Sequence, residues 1–199
     1  LYAHAIGYRR LLLTGLALGA VLAALQALML PPVWLWVTRL LEGVSHLAVV
    51  VTAPTLIAAQ CVARQRSVAM GLWSTFVGVA FALTGAFGPG VLSALGLDGL
   101  LGLHALAMLL MLGWAAAVVP ADREAFGVRA WPRWQAVPRH HLQIYTRWET
   151  ALPGLCFFCY TGMAVALLTF LPLQAGARTP WLAVVLPLMG IAGTFSAGW

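Results

Sequence analysis

Apolar residues fall along the chain in six long blocks, with the polar residues gathered between them. Residues 11–30, 68–96, 100–120, 151–173 and 181–199 carry no charge, and residues 33–61 carry only Arg39 and Glu42. Each block is 19 to 29 residues long, against the roughly 20 that an α-helix needs to cross the hydrocarbon layer. None alternates with period two, which excludes a β-barrel reading. The pattern predicts an all-α, polytopic membrane protein with six transmembrane helices at about 11–30, 33–61, 68–96, 100–120, 151–173 and 181–199.

Most of the breaks are short: Pro31-Pro32, residues 62–67, Leu97-Asp98-Gly99 and residues 174–180. Residues 121–150 are different. This stretch holds Arg123, Arg129, Arg133, Arg139 and Arg147, interleaved with Trp131, Trp134 and Trp148. Pro132 and Pro138 argue against one continuous helix there. As the one polar linker, it divides the chain into four spans and two.

Composition supports this division. Of the 199 residues, 62% are hydrophobic and 8% charged, and the mean hydropathy is +0.93. Soluble domains carry nearer a quarter charged residues, so a soluble globule, a disordered tail and a nucleic-acid module are all excluded. The net charge of +6 comes from 11 basic residues against five acids. Every basic residue is Arg, and lipid headgroups are the natural partner for them. Arg9, Arg10, Arg64, Arg66 and the five linker Arg fall on one face of the predicted topology, while Arg178 alone falls on the other. The positive-inside rule then puts the chain start and the linker on the cytoplasmic side. The opening on Leu1 and the stop at Trp199 inside an apolar block read as the ends of a fragment.

Polar residues inside the spans carry most of the functional information. Arg39, Glu42 and His46 follow i, i+3, i+7 spacing and share one face of the second span. A charge in mid-bilayer costs about 2.5–3.5 kcal/mol on insertion scales and usually faces a cavity or a partner. One reading is an Arg39–Glu42 pair that only neutralises itself. The other, favoured here, is a cavity-lining, proton-sensitive cluster in which His46 titrates. Tyr160 and Thr161 are the polar groups that the fifth span offers to such a path.

Ser74, Gly78, Ala82, Gly85 and Pro89 form a stripe of small residues along the third span, suited to close helix packing. Gly88-Pro89-Gly90 predicts a local bend there, and Pro54 and Pro187 predict others. Cys156 and Cys159 form a CxxC with no nearby His or acid and read as two small apolar helix residues. His140-His141 is an adjacent pair and a poor chelate. No metal, cofactor or nucleic-acid site is expected.

These motifs, taken in order, resemble those of the major facilitator superfamily of secondary transporters. Gly7, Arg9 and Arg10 look like the tail of the family's cytoplasmic loop motif, although His4 and Ala5 stand where Asp and Arg are usual. Arg39-Leu-Leu-Glu42-Gly43 looks like the fourth-helix motif, whose Arg is tied to proton coupling. Thr84-Gly85-Ala-Phe-Gly88-Pro89 looks like the fifth-helix antiporter motif, with Leu92-Ser93 replacing its closing Gly pair. The Arg-rich linker resembles the central loop between two six-helix halves, and residues 193–199 resemble the eighth helix.

The resemblance implies that the chain covers helices three to eight of a 12-helix, two-bundle transporter, with its other helices elsewhere in a full-length chain. It also implies a non-enzymatic protein that moves a small organic solute, coupled to protons and in the efflux direction, in a bacterial inner membrane. Arg39, Glu42, His46, Tyr160 and Thr161 would line the solute and proton path, and Gly78, Gly85, Gly88 and Pro89 would serve packing and gating. An intramembrane hydrolase or acyltransferase using His46 or His104, and a scaffold without transport, are the competing classes. No Gly-x-Ser-x-Gly or His-Glu-x-x-His occurs, and Ser45 and His46 cannot face one another on a helix.

Overall fold

The computed structural model describes residues 2–122, 137–175 and 181–197, and every regular element among them is helical. α1 (Tyr2–Ile6) leads through Gly7 into α2 (Tyr8–Ala27), and a short turn joins that helix to α3 (Pro32–Gln60). A 3₁₀ turn at Ala63–Gln65 opens into α4 (Arg66–Ser74) and α5 (Phe76–Val118). Beyond these come α6 (Val137–Thr146), α7 (Trp148–Ala175) and α8 (Leu182–Ala197). Arg123, Arg129, Arg133, Trp131, Trp134, Arg178 and Trp199 lie outside the described residues.

Among the described residues, four helical stretches are long and apolar enough to cross a membrane, Tyr8–Ala27, Pro32–Gln60, Ala63–Val118 and Trp148–Leu171, and Leu182–Gly193 is a shorter apolar one. The third needs division. α5 runs for 43 residues, which at 1.5 Å per residue gives about 65 Å, twice the roughly 30 Å of hydrocarbon. Its helical dihedrals break at Gly96, where φ is 70° and ψ is −177°. That left-handed φ suits glycine because it has no Cβ to clash. Two limbs result, residues 76–95 and 97–118, and the break falls beside the Leu97-Asp98-Gly99 interruption read from the sequence. Pro54, Pro89 and Pro187 sit inside helices. In α5 the backbone keeps helical dihedrals through Pro89, and the residue that leaves them is Gly96.

The core is built on α2. Its buried face carries Leu12, Gly15, Leu16, Gly19, Ala20, Leu22, Ala23 and Gln26, at the i, i+3, i+4 spacing of one helical stripe. Gly15 lets α3 come close: a Cβ there would lie 2.9 Å from Ala48 Cβ. Gly19 does the same toward Ser45 of α3 and Met108 of α5. Ser45, 2% exposed, donates its hydroxyl proton to the Gly15 carbonyl at 2.7 Å. Tyr8, Leu12, Leu16 and Leu56 form the apolar centre, against which Met108, Leu112, Ala115 and Val119 pack. These pairings run in opposite directions along the chain, so α2 is antiparallel to both α3 and the 97–118 limb. Small residues at the crossings let the helices approach where apolar burial against lipid gives no drive.

The membrane-facing ends of this unit are tied by polar groups. Arg9 Nε donates to the Val119 carbonyl at 2.8 Å, and its Nη2 donates to the Ala116 carbonyl at 2.7 Å. In return, Asp122 Oδ1 accepts from the Arg9 backbone N–H at 2.8 Å. A helix leaves its first N–H and last C=O groups unpaired, with partial positive and negative charge. Here the cation of α2 closes the C-terminus of α5, and the anion beyond α5 closes the N-terminus of α2. Gly7 makes room for this joint. Its φ is 97°, and a Cβ there would collide with the Asp122 carboxylate.

The 76–95 limb packs along α8 in antiparallel register. A Cβ on Gly78 would meet Ile191 and the Pro187 carbonyl, and one on Gly85 would lie 2.6 Å from the Ala183 carbonyl. The stripe of small residues therefore has its partner across the polar linker, in the second part of the chain. Gly88 has only Thr84 nearby and Pro89 is exposed.

Candidate functional site

Buried hydroxyls on α3 are largely spent on the backbone. Thr38 Oγ1 donates within reach of the Trp34 and Leu35 carbonyls, both at 3.0 Å. Thr52 Oγ1 donates to the Ala48 carbonyl at 2.6 Å. Such bonds back to the preceding turn satisfy the hydroxyl inside its own helix. Glu42 has no comparable outlet, because a carboxylate only accepts. Its partners must be side chains, and three helical segments supply them.

Arg39 Nη1 donates to Glu42 Oε2 at 2.8 Å, one turn away on the same helix. Gln26 Nε2, from the last turn of α2, donates to the same oxygen at 3.0 Å. His104 Nε2, from the 97–118 limb of α5, lies 3.4 Å from Glu42 Oε1. The Glu42 side chain is only 16% exposed, whereas those of Arg39 and His104 are 55% and 49% exposed. A half-shielded anion thus sits where three helical segments meet, with two cationic or titratable groups opening outward from it.

Gln26 is the most enclosed member. It is 0% exposed, and its Oε1 has no hydrogen-bond partner among the described residues. The amide orientation is fixed by chemistry: turned over, Oε1 would face an anionic oxygen. A buried acceptor without a donor costs about 1–3 kcal/mol, so this atom marks an unmet requirement within the cluster. Arg39 has donors to spare beyond the one given to Glu42, and its outer side borders a shallow groove with Pro32, Leu35 and Trp36.

Other residues singled out from the sequence lie apart. His46 is exposed, and the described contacts of Glu42 run to His104 instead. Tyr160, 59% exposed, and half-buried Thr161 sit on α7, which packs chiefly on α6 and α8. Gly7 and Arg9 belong to the joint at the base of α2, where the Arg10 backbone N–H also approaches Asp122 Oδ2 at 3.4 Å. Cys156 and Cys159 are free and exposed. No group of three or more metal-ligating side chains occurs among the described residues. The side chains of His140 and His141 lie outside those described.

Gln26 and His104 are the members that sequence reasoning did not join to this site. Each is a rare polar residue in an uncharged block, His104 alone in its own and Gln26 sharing its block with Thr14. That rarity is itself the signal, since polar side chains within spans turn toward partners or cavities.

The chain matches the family model described as Major Facilitator Superfamily over residues 1–199. No curated protein and no solved structure matches it. The chain belongs to the major facilitator superfamily. It is a multi-pass membrane protein of a transporter family, which moves small solutes across a lipid bilayer and is not enzymatic.

Proposed function

We propose, on the premise of that membership, that this chain forms part of a proton-coupled secondary transporter that exports a small organic solute by alternating access. The observation that carries the proposal is the Glu42 carboxylate, held at once by Gln26, Arg39 and His104 from three helical segments. A buried ionisable group in a membrane span is costly to keep and marks an ion or substrate path by default. A proton on Glu42 removes the charge that holds Arg39, and the freed guanidinium then offers its donors to an anionic or hydrogen-bonding solute.

His104 is suited to pass the proton. Its Nε2 lies 3.4 Å from Glu42 Oε1, and an imidazole nitrogen can both take up and give back a proton. His46, Tyr160 and Thr161 line the solute side of the path, outside the proton relay, when the cavity opens along α3 and α7. Contact between the 76–95 limb and α8 supplies a close-packed seam of small residues on which the two parts of the fold can rock. The Arg-rich loops favour a cytoplasmic location for the chain start and the 121–150 linker, in a bacterial inner membrane.

The test uses the full-length transporter in proteoliposomes with an imposed pH gradient, and a panel of small fluorescent organic solutes that includes an anion such as a sulfonated rhodamine. Gradient-driven flux is expected in the native protein, with loss of coupling in Glu42→Gln and Arg39→Ala. Unchanged coupled flux in both variants would sink the assignment.

A further inference from the structure

The acceptor that Gln26 leaves unsatisfied is explained by a second state of its neighbour. Gln26 donates through Nε2 to Glu42, yet its Oε1 is fully buried with no donor among the described residues. Arg39 is already engaged with Glu42 from its own helix, and His104 faces the other carboxyl oxygen from α5. Those two are the titratable or charged groups that contact Glu42 among the described residues. α2 contributes only the neutral amide, and His46, one turn along α3, is exposed and makes no described contact with the carboxylate.

We infer that Gln26 is a two-state amide that reads the protonation of Glu42, resting on the proton-coupled reading above. In the ionised state Nε2 donates to the carboxylate and Oε1 goes without. When a proton moves from the His104 imidazolium to Glu42, one N–H bond breaks and one O–H bond forms, leaving neutral imidazole and a carboxylic acid. That acid has a hydrogen to give, and Gln26 Oε1 is the buried acceptor beside it. An acid and an amide can then exchange both bonds, O–H to Oε1 and Nε2–H to the acid's carbonyl oxygen. The protonated state thus satisfies what the ionised state leaves open. Arg39, losing its counter-charge, is released in the same step. Gln26 is a positioning residue that ties the charge state of α3 to the buried face of α2.

This role has a sign opposite to the simpler one. If Gln26 only donated to the carboxylate, removing it would favour protonation of Glu42 and move its titration to higher pH. As a two-state amide it favours the protonated form, so Gln26→Leu moves the titration to lower pH. The expected shift is about one unit: the charge-assisted bond to the carboxylate offsets the acid's two neutral bonds, and the acceptor left unmet in the ionised state supplies the difference.

The measurement is the infrared band of the protonated carboxyl, followed against pH in the full-length protein in nanodiscs and assigned by its loss in Glu42→Gln. A second measurement needs no change at position 26. The side-chain amide resonance of Gln26 in the native protein should move with the same midpoint as the carboxyl band, and should stay still in Glu42→Gln. A rise or no change in the Gln26→Leu midpoint overturns the inference. So does a native amide that stays still while Glu42 titrates, whether or not the leucine variant folds. A carboxyl that never titrates overturns the proton-coupled reading as well, which separates the two failures.

Discussion

Gly85 of α5 and Ala183 of α8 meet with no room for a side chain between them: a Cβ on Gly85 would lie 2.6 Å from the Ala183 carbonyl oxygen and 3.1 Å from its Cβ. Backbone is the obstacle there, so a larger residue cannot be absorbed by a rotamer change. Gly85→Leu should separate the two helices and destabilise the fold by about 1–3 kcal/mol, the usual range for overpacking. Thermal unfolding of Gly85→Leu against the native protein in a fixed detergent reads this directly, and an unchanged midpoint would count against the contact.

Removing the Arg9 side chain should cost more than an exposed charge normally does. Its guanidinium reaches two terminal carbonyls of α5, and charged hydrogen bonds contribute about 1.5–3 kcal/mol when shielded. Allowing for partial exposure, Arg9→Ala should lose about 1–2 kcal/mol. Arg9→Lys should recover only part of it, because a single ammonium cannot span both carbonyls as the planar fork does. Thermal unfolding in a fixed detergent compares the three.

Gly7→Ala addresses the same joint from the backbone. A non-glycine residue at φ 97° is strained, at a cost on the order of 1–3 kcal/mol, and its methyl would displace Asp122. Asp122→Ala should therefore lessen the penalty of Gly7→Ala, so the two losses should not add. A double-mutant cycle on unfolding midpoints tests the coupling.

Two histidines should separate cleanly in the pH dependence of transport. His104 faces Glu42, while His46 lies exposed outside the cluster. His104→Ala should displace the pH profile, and His46→Ala should leave its midpoint in place. Flux against pH in the two variants decides this, and the reverse pattern would restore His46 to the relay.

Gly19→Leu should damage the core without touching a charged group. A side chain there meets Ser45 and Met108 at once, and both flanking helices would have to retreat. The loss should approach about 3 kcal/mol, the upper part of the overpacking range, read as a lower unfolding midpoint.

Much of the architecture was legible in the chain because a bilayer imposes simple demands. Uncharged length sets the spans, and the Leu97-Asp98-Gly99 interruption lies beside the turn that Gly96 makes. Pairing partners were less accessible. The small-residue stripe of the third span was readable as a packing face, but nothing in its spacing could say that α8 would fill it. The pair Gly15 and Gly19 carries the same message for α2 and was passed over among so many small residues.

The site shows the same division. Arg39 and Glu42 are neighbours on one helix turn, so spacing alone brings them together. Gln26 and His104 reach Glu42 through helix rotation and antiparallel register, and both are products of tertiary packing. Spacing on α3 suggested His46 because the helical face was known, whereas the facing residue of another helix was not.

The joint between Arg9 and Asp122 has a bearing on how the protein is made. The two residues are 113 positions apart, so the amides that open α2 leave the ribosome long before the carboxylate that serves them. Water at the headgroup level must occupy those amides until the 97–118 limb has been threaded into the bilayer. Only then can the Arg9 side chain and Asp122 close on one another. Their closure therefore marks the moment at which α2 and the 97–118 limb become one assembled unit, a checkpoint written into the order of synthesis.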